Sequence, residues 1–309
     1  MRILFLGTPD FAVPSLEALL RGPDEVVGVV SQPDRPRGRG RKSEPPPVVE
    51  AARATGIPVF QPDKLHGSES LDALRALRPD LAVTAAFGRF LRRSLLDLPP
   101  HGCLNVHASL LPRHRGAAPI TRAILDGDAW TGITIFRLDE GMDTGPLILQ
   151  RVERILPDDT TGSLTTRLAL LGGVALREAC DAIRSGHARF LPQAEELATY
   201  APLLSKDDGR CSFDRPADLC ERFVRAMFPW PGASARARGE ALRLLRVEPL
   251  DLIDPARPAG EVVAVDPYPV VAARPGRVRL VRVQAAGKRE MDAAEWARGF
   301  RLAIGESLG

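Results

Sequence analysis

A chain of 309 residues, 44% hydrophobic and 26% charged, holds enough apolar material for two domains of ordinary size, each with its own core. Its 42 Lys and Arg against 39 Asp and Glu leave a formal net charge of only +3, which fits a soluble globular protein. The longest apolar run, Leu168 to Leu176 between Arg167 and Arg177, is too short to cross a bilayer, and Asp10 follows the apolar Ile3–Leu6 too soon for a signal peptide.

Taken in order, Arg2–Leu6 reads as a buried strand, Gly7-Thr8-Pro9-Asp10 as a strand-to-helix turn and Phe11–Leu20 as a helix, followed by a strand at Glu25–Ser31. This is how a doubly wound α/β domain begins. The Gly-x-Gly-x-x-Gly fingerprint is absent, with only Gly7 in place, which argues against a dinucleotide cofactor. The loop Gln32–Pro47 holds Arg35, Arg37, Arg39, Arg41 and Lys42 against Asp34 and Glu44, while residues 1–204 as a whole are neutral. A local basic projection on a mildly acidic body is a candidate contact for a polyanion. Pro33, Pro36, Gly38 and Gly40 predict that this loop lacks regular structure.

Helices are expected near Val48–Thr55 and Ser70–Leu77, with strands at Ile57–Phe60 and Asp80–Ala86. A short apolar strand then runs to His107, a helix spans about Ala118–Leu125, and strands at Thr131–Leu138 and Leu147–Ile155 bracket a polar loop. The long helix Ser163–Ser185 has cap residues in Asp159-Thr-Thr-Gly-Ser163 and Gly186 just past its end. Residues 189–206 lose periodicity and read as a linker. Beyond it, a short strand at Gly209–Phe213 and a helix at Ala217–Met227 precede short alternating segments with regular turn signals, the pattern of a small antiparallel barrel. A final helix is expected over Asp292–Leu302. The domains expected are therefore residues 1–188 and 207–309.

Chemistry concentrates at two strand ends, each delivering polar groups into a Gly- and Pro-shaped loop, which suggests one site at the carboxyl edge of a sheet. Asn105 and His107 are two residues apart, so they share one strand face, about 6–7 Å apart along the axis. Cys103 shares that face, and Val106 takes the other. Pro112, after Ser109-Leu110-Leu111, blocks further ladder pairing. The second knot is Leu138-Asp-Glu-Gly-Met-Asp143-Thr-Gly-Pro146. Asn105 and His107 could be a hydrogen-bonded structural pair, as buried polar groups usually are. Their place at a strand end and the carboxylate Asp143 nearby favour a site, because ligands of open α/β sheets lie at the carboxyl ends of strands. An amide N–H can stabilise an oxyanion, an imidazole can carry a proton, and a carboxylate can hold that imidazole.

Neither Cys103 nor Ser109 is well placed as a nucleophile, so direct transfer to an external nucleophile is favoured. His101 and His114 read as surface or supporting histidines. The four cysteines form no C-x-x-C pair and no zinc-spaced set, which predicts reduced thiols in a cytoplasmic protein and no metal.

Gly7-Thr-Pro-Asp-Phe-Ala12, the Gln32–Lys42 run, Asn105-Val-His-Ala-Ser-Leu-Leu-Pro112, Arg115-Gly-Ala-Ala-Pro119, Leu138-Asp-Glu-Gly-Met-Asp-Thr-Gly145 and Phe228-Pro-Trp-Pro231 closely resemble the methionyl-tRNA formyltransferase family. The Asn-Val-His and Asp-Thr-Gly elements alone mark only the wider group of 10-formyltetrahydrofolate transferases. The basic loop and C-terminal barrel narrow the resemblance. It implies a Rossmann-like formyltransferase domain with a mostly parallel sheet and a small C-terminal oligonucleotide-binding-like (OB-like) barrel. It also implies catalytic roles for Asn105, His107 and Asp143, folate contacts from Ser109, Leu110, Leu111 and Pro112, and acceptor-arm contacts from Arg35, Arg37, Arg39, Arg41 and Lys42. The co-substrate would be 10-formyltetrahydrofolate, the acceptor initiator methionyl-tRNA, and the protein a monomer acting in translation initiation. His114 and Phe87-Gly-Arg-Phe-Leu-Arg92 depart from the family pattern, at the wall of the folate pocket. The rivals are a formyltransferase for amino sugar nucleotides, which would not need so long a basic arm, and an RNA-binding module with a degenerate α/β domain, which would not need the Asn/His/Asp set.

Overall fold

Apolar runs without alternation must be covered on both faces, and they become the middle of a parallel sheet. The computed structural model describes residues 1–37, 42–250 and 257–309, apart from the side chains of residues 36, 37 and 42. β1 (Arg2–Gly7) and β2 (Glu25–Val30) are followed by a small ladder of β3 (Arg35–Arg37) with β4 (Lys42–Glu44). Then come β5 (Val59–Phe60), β6 (Leu81–Ala85), β7 (Cys103–His107), the two-residue β8 (Arg115–Gly116), β9 (Trp130–Arg137) and β10 (Leu147–Arg154). The helices between and after them are α1 (Val13–Leu20), α2 (Pro47–Ala54), α3 (Ser68–Ala76), α4 (Arg93–Leu96), α5 (Pro119–Asp126) and α6 (Thr161–Arg184).

The main sheet has the order β10-β9-β7-β6-β1-β2-β5. The strands from β5 to β7 pair in parallel; β9 and β10 join antiparallel. All five residues of β6 and five of six in β1 are buried. α6 packs hard against this sheet at Gly172 and against α1 at Gly173. A Cβ at Gly172 would sit 2.9 Å from Val106 Cγ1 on β7, and one at Gly173 would sit 2.8 Å from the Pro14 carbonyl of α1. The two glycines inside the apolar run are thus the price of close helix–sheet and helix–helix approach. The start of α6 is capped as expected: Ser163 N–H meets Thr160 Oγ1 at 3.1 Å, and Ser163 Oγ donates to Asp159 Oδ1 at 2.7 Å.

By its own packing the chain forms two units, one of residues 1–119, 130–154 and 165–202, the other of residues 120–129, 155–164 and 203–309. The segment expected as a linker is divided between them. Residues 189–202 belong to the first unit, where Leu191 bridges Leu147 and β11 (Tyr200–Ala201) pairs in parallel with β8. Two other expectations change. The basic loop has a regular stem, with Arg35 opposite Glu44 and Arg37 opposite Lys42; Pro36 is tolerated because a two-stranded ladder has an outer edge that needs no N–H. Residues 209–213 form no strand, only a short 3₁₀ turn (Asp207–Gly209) and one bridge from Arg210 to Ser234.

The second unit contains α7 (Ala217–Met227), β12 (Ser234–Ala237), β13 (Glu240–Leu250), β14 (Val262–Ala264), β15 (Val270–Ala272), β16 (Arg277–Ala285), β17 (Met291–Asp292) and α8 (Ala293–Phe300). Its sheet runs β12-β13-β16-β15-β14, all antiparallel, with β17 beside β16. Along β13 the buried residues are Leu242, Leu244 and then Val247, and the register slips between Leu244 and Val247. A bulge there flips the alternation and bends the strand, as barrels require. The C-terminal tail supplies the closure: Leu308 bridges Ala237 beside β12, and Ser307 bridges Glu261 beside β14. Phe213, Phe223, Met227, Leu244, Val278, Leu280, Val283 and Trp296 fill the interior. Asp292 caps α8 by accepting from Ala294 N–H at 2.9 Å.

Candidate active site

β7 ends where the site begins. Asn105 lies opposite Thr84 of β6 and opposite Phe136 of β9. The Thr84 hydroxyl meets Asn105 Oδ1 at 2.7 Å. With its oxygen so engaged, the amide has its N–H bonds to offer a ligand. His107, two residues on, is 6% exposed and packs edge-on against the Phe136 ring at 6.3 Å. Its Nε2 lies 3.0 Å from the His114 carbonyl, which can only accept, so Nε2 carries a proton. The nitrogen left available for a proton is therefore Nδ1, and it faces Asp143 Oδ2 at 3.7 Å.

Asp143 arrives by an unexpected path. β9 is antiparallel to β7, so the loop after it starts beside Cys103, where Leu138 N–H donates to the Cys103 carbonyl at 2.7 Å. That is the amino end of β7, not the carboxyl edge that two like strand ends would share. The loop doubles back to bring Asp143 to His107. Asp143 sits in the left-handed region at φ +55°, and its Oδ2 accepts from Gly116 N–H at 2.7 Å. The three expected catalytic side chains thus all lie on the first unit, and His107 and Asp143 face each other there.

The other expected residues are placed as follows. Ser109 is buried and donates to the Arg113 carbonyl at 2.6 Å; Leu111 is buried, with its N–H on Thr134 Oγ1 at 3.1 Å and its carbonyl on Gln150 Nε2 at 2.8 Å. Leu110 and Pro112 are half-buried. His114 is buried at φ +58°, held by Thr199 Oγ1 at 2.8 Å, and supports His107 through its backbone; sequence placed it at the surface or in a supporting shell. Arg35 anchors the basic stem by donating to Gln32 Oε1 at 2.6 Å, and Gln32 in turn donates to the Phe87 carbonyl at 2.8 Å. Arg39 and Arg41 lie outside the described residues, as do the side chains of Arg37 and Lys42. A cleft of about 400 Å³ opens at the ends of β1, β2 and β6, lined by Thr8, Asp10, Gln32, Arg35, Glu44 and Ala86 among others. Among the described residues no group of three or more His, Cys, Asp or Glu could hold a metal ion, and no helix is long and apolar enough to cross a membrane.

The formyl transferase family matches residues 1–180, and its C-terminal domain matches residues 203–301. Methionyl-tRNA formyltransferase of Magnetococcus marinus is 46% identical over 311 residues, covering 100% of this chain and 98% of that protein. That of Moorella thermoacetica is 45% identical over 312 residues, with 100% and 99% covered. The chain belongs to the methionyl-tRNA formyltransferase family. A solved N-formyltransferase from Helicobacter canadensis, in complex with folinic acid and dTDP-3-aminofucose, shares the fold at a TM-score of 0.66. It covers 92% of this chain and 98% of its own, but at 16% identity it speaks to the fold alone.

Two threonines of this family member escape a reading by motif, and the structure gives Arg115 and Cys103 their surroundings. Thr84 orients Asn105 from the neighbouring strand, and Thr134 reaches the Ser109 carbonyl at 2.7 Å from β9. Arg115 is fully buried and pairs with Glu195 at 2.7 Å. That pairing holds the Glu195 carboxyl below its ordinary range. Cys103 is buried, which pushes its thiol far above the ordinary range.

Proposed function

We propose that this protein transfers a formyl group from 10-formyltetrahydrofolate to the α-amine of methionine esterified to initiator tRNA, by direct attack of the amine. The observation that carries the reading is the constellation at the end of β7: an amide oriented by Thr84, an imidazole whose Nε2 is occupied, and a carboxylate facing its Nδ1. A free α-amine has a pKa of about 7.7–8.0 and an ester neighbour lowers it, so a neutral fraction exists near pH 7. Positioning then matters more than activation. The amine nitrogen attacks the formyl carbon, and the Asn105 amide stabilises the tetrahedral oxyanion. His107 Nδ1 takes the amine proton with Asp143 alongside and passes it to the folate nitrogen as that nitrogen's bond to the formyl carbon breaks, releasing tetrahydrofolate and restoring the neutral imidazole. A Cys103 formyl-enzyme has no support, because a buried thiol supplies little thiolate.

Ser109–Pro112 contact the folate through the half-buried side chains of Leu110 and Pro112, since Ser109 and Leu111 have their side chains turned into protein. Arg35, Arg37, Arg39, Arg41 and Lys42 contact phosphates of the acceptor arm, and the 207–309 domain supports the tRNA from its barrel. Residues 1–188 hold the chemistry, and the protein acts as a monomer in the cytoplasm. Full-length likeness to methionyl-tRNA formyltransferases favours a tRNA acceptor over the sugar nucleotide of the Helicobacter enzyme. Supplying formyl donor with charged initiator tRNA in one assay and dTDP-3-aminofucose in another tests this. Formylation of the tRNA alone is expected; preference for the sugar would overturn the assignment.

A further inference from the structure

Gln193 lies in no motif and in the segment that reads as a linker, yet its amide is fully used. Nε2 donates to the Asp143 carbonyl and to the Gly145 carbonyl, each at 2.8 Å. Oε1 accepts from Arg115 Nε at 3.1 Å and Nη2 at 2.7 Å. Arg115 has no freedom to drift, being fully buried with its guanidinium forked onto both Glu195 oxygens at 2.7–2.8 Å. The next residue, Gly116, donates its N–H to Asp143 Oδ2 at 2.7 Å. Asp143 is thus gripped twice from one two-residue strand, at its carboxylate by Gly116 and at its backbone by Gln193 through Arg115.

Glutamine suits this position for a chemical reason. Two carbonyls need two N–H donors, and a guanidinium needs an acceptor; a primary amide has both on one planar group. Glutamate could still bind Arg115 but would set carboxylate oxygens against the two carbonyls. The Asp143 backbone needs such a hold, because φ +55° is a region that residues with a Cβ rarely adopt.

We infer that Gln193 is a positioning residue for formyl transfer, fixing the loop so that Asp143 Oδ2 stands 3.7 Å from His107 Nδ1. The inference rests on the role proposed above for Asp143. The test uses the full chain with Gln193→Glu and Gln193→Met, each alone and combined with Asp143→Ala, in steady-state formylation of methionyl-tRNA. Each single Gln193 variant should lower kcat about 10- to 100-fold, as misplacement by about 1 Å does, with KM for tRNA and folate unchanged within about twofold. In the Asp143→Ala background neither should cost anything further, since both changes act on one unit. Parent-like kcat in Gln193→Glu would overturn the inference, as would an undiminished loss in the Asp143→Ala background. Gln193→Met, of similar shape and without charge, decides the matter if the Glu variant does not fold. An Asp143→Ala protein as fast as its parent would instead remove Asp143 from the mechanism, and the inference with it.

Discussion

Asn105→Ala is expected to lower kcat for formyl transfer about 10²–10³-fold, the usual loss for one oxyanion donor, with tRNA binding near its parent value. The side chain sits midway along β7 with Thr84 on its oxygen, whereas Arg35 lies on the basic stem and is anchored to Gln32. In the proposed mechanism it has no part in holding the acceptor arm, and its N–H bonds serve the developing oxyanion. Asn105→Asp is the sharper variant: it keeps the shape and the contact with the Thr84 hydroxyl but removes the donors and adds a negative charge beside the oxyanion. Its loss should equal or exceed that of alanine. Parent-like turnover in either would show that the amide is structural.

Gly145→Ala should be nearly as damaging, though Gly145 touches no reactant in the proposed mechanism. A Cβ there would overlap the Arg137 carbonyl oxygen and come within 3.4 Å of Asp139 N. Both are backbone atoms at the β9–β10 junction, where Arg137 N–H donates to the Pro146 carbonyl at 3.0 Å, so neither can swing aside. The loop must open, carrying Asp143 away from His107 and breaking the Gln193 bond to the Gly145 carbonyl. We expect kcat to fall about 100-fold, the cost of roughly 1 Å of misplacement, together with a lower melting temperature. An alanine protein with the parent's kcat would mean that the loop tolerates movement and that Asp143 placement is not critical.

Much of this architecture was legible because its physics is local. The apolar runs of β1 and β6, the two-residue spacing of Asn105 and His107, and the caps of α6 each show within a few residues. The antiparallel barrel followed from short alternating segments and turn residues. Four features were not legible, each for a stated reason. The direction of β9 depends on strand pairing, which no local pattern encodes, and so the route by which Asp143 reaches His107 was misread. The 189–201 strap makes its bonds through backbone groups and the side chains of Gln193, Glu195 and Thr199, with Gln193 50 residues from Asp143 and Glu195 80 from Arg115, and no periodicity marks it. The bulge in β13 appears only as a phase change in burial between Leu244 and Val247. The ladder at Arg35–Arg37 runs against the composition of a Pro- and Gly-rich loop.

The central claim is that the transfer step itself, rather than substrate binding, depends on the strand-end constellation. Single-turnover transfer of labelled formyl to methionyl-tRNA, with parent and His107→Ala proteins each saturated in tRNA and donor, tests it most directly. The account predicts that the transfer rate falls about 100-fold or more in His107→Ala, within the range for loss of a general acid–base group, while the Kd for tRNA stays at the parent value. Transfer at the parent rate, or a loss that disappears once the tRNA is truly saturating, would contradict it.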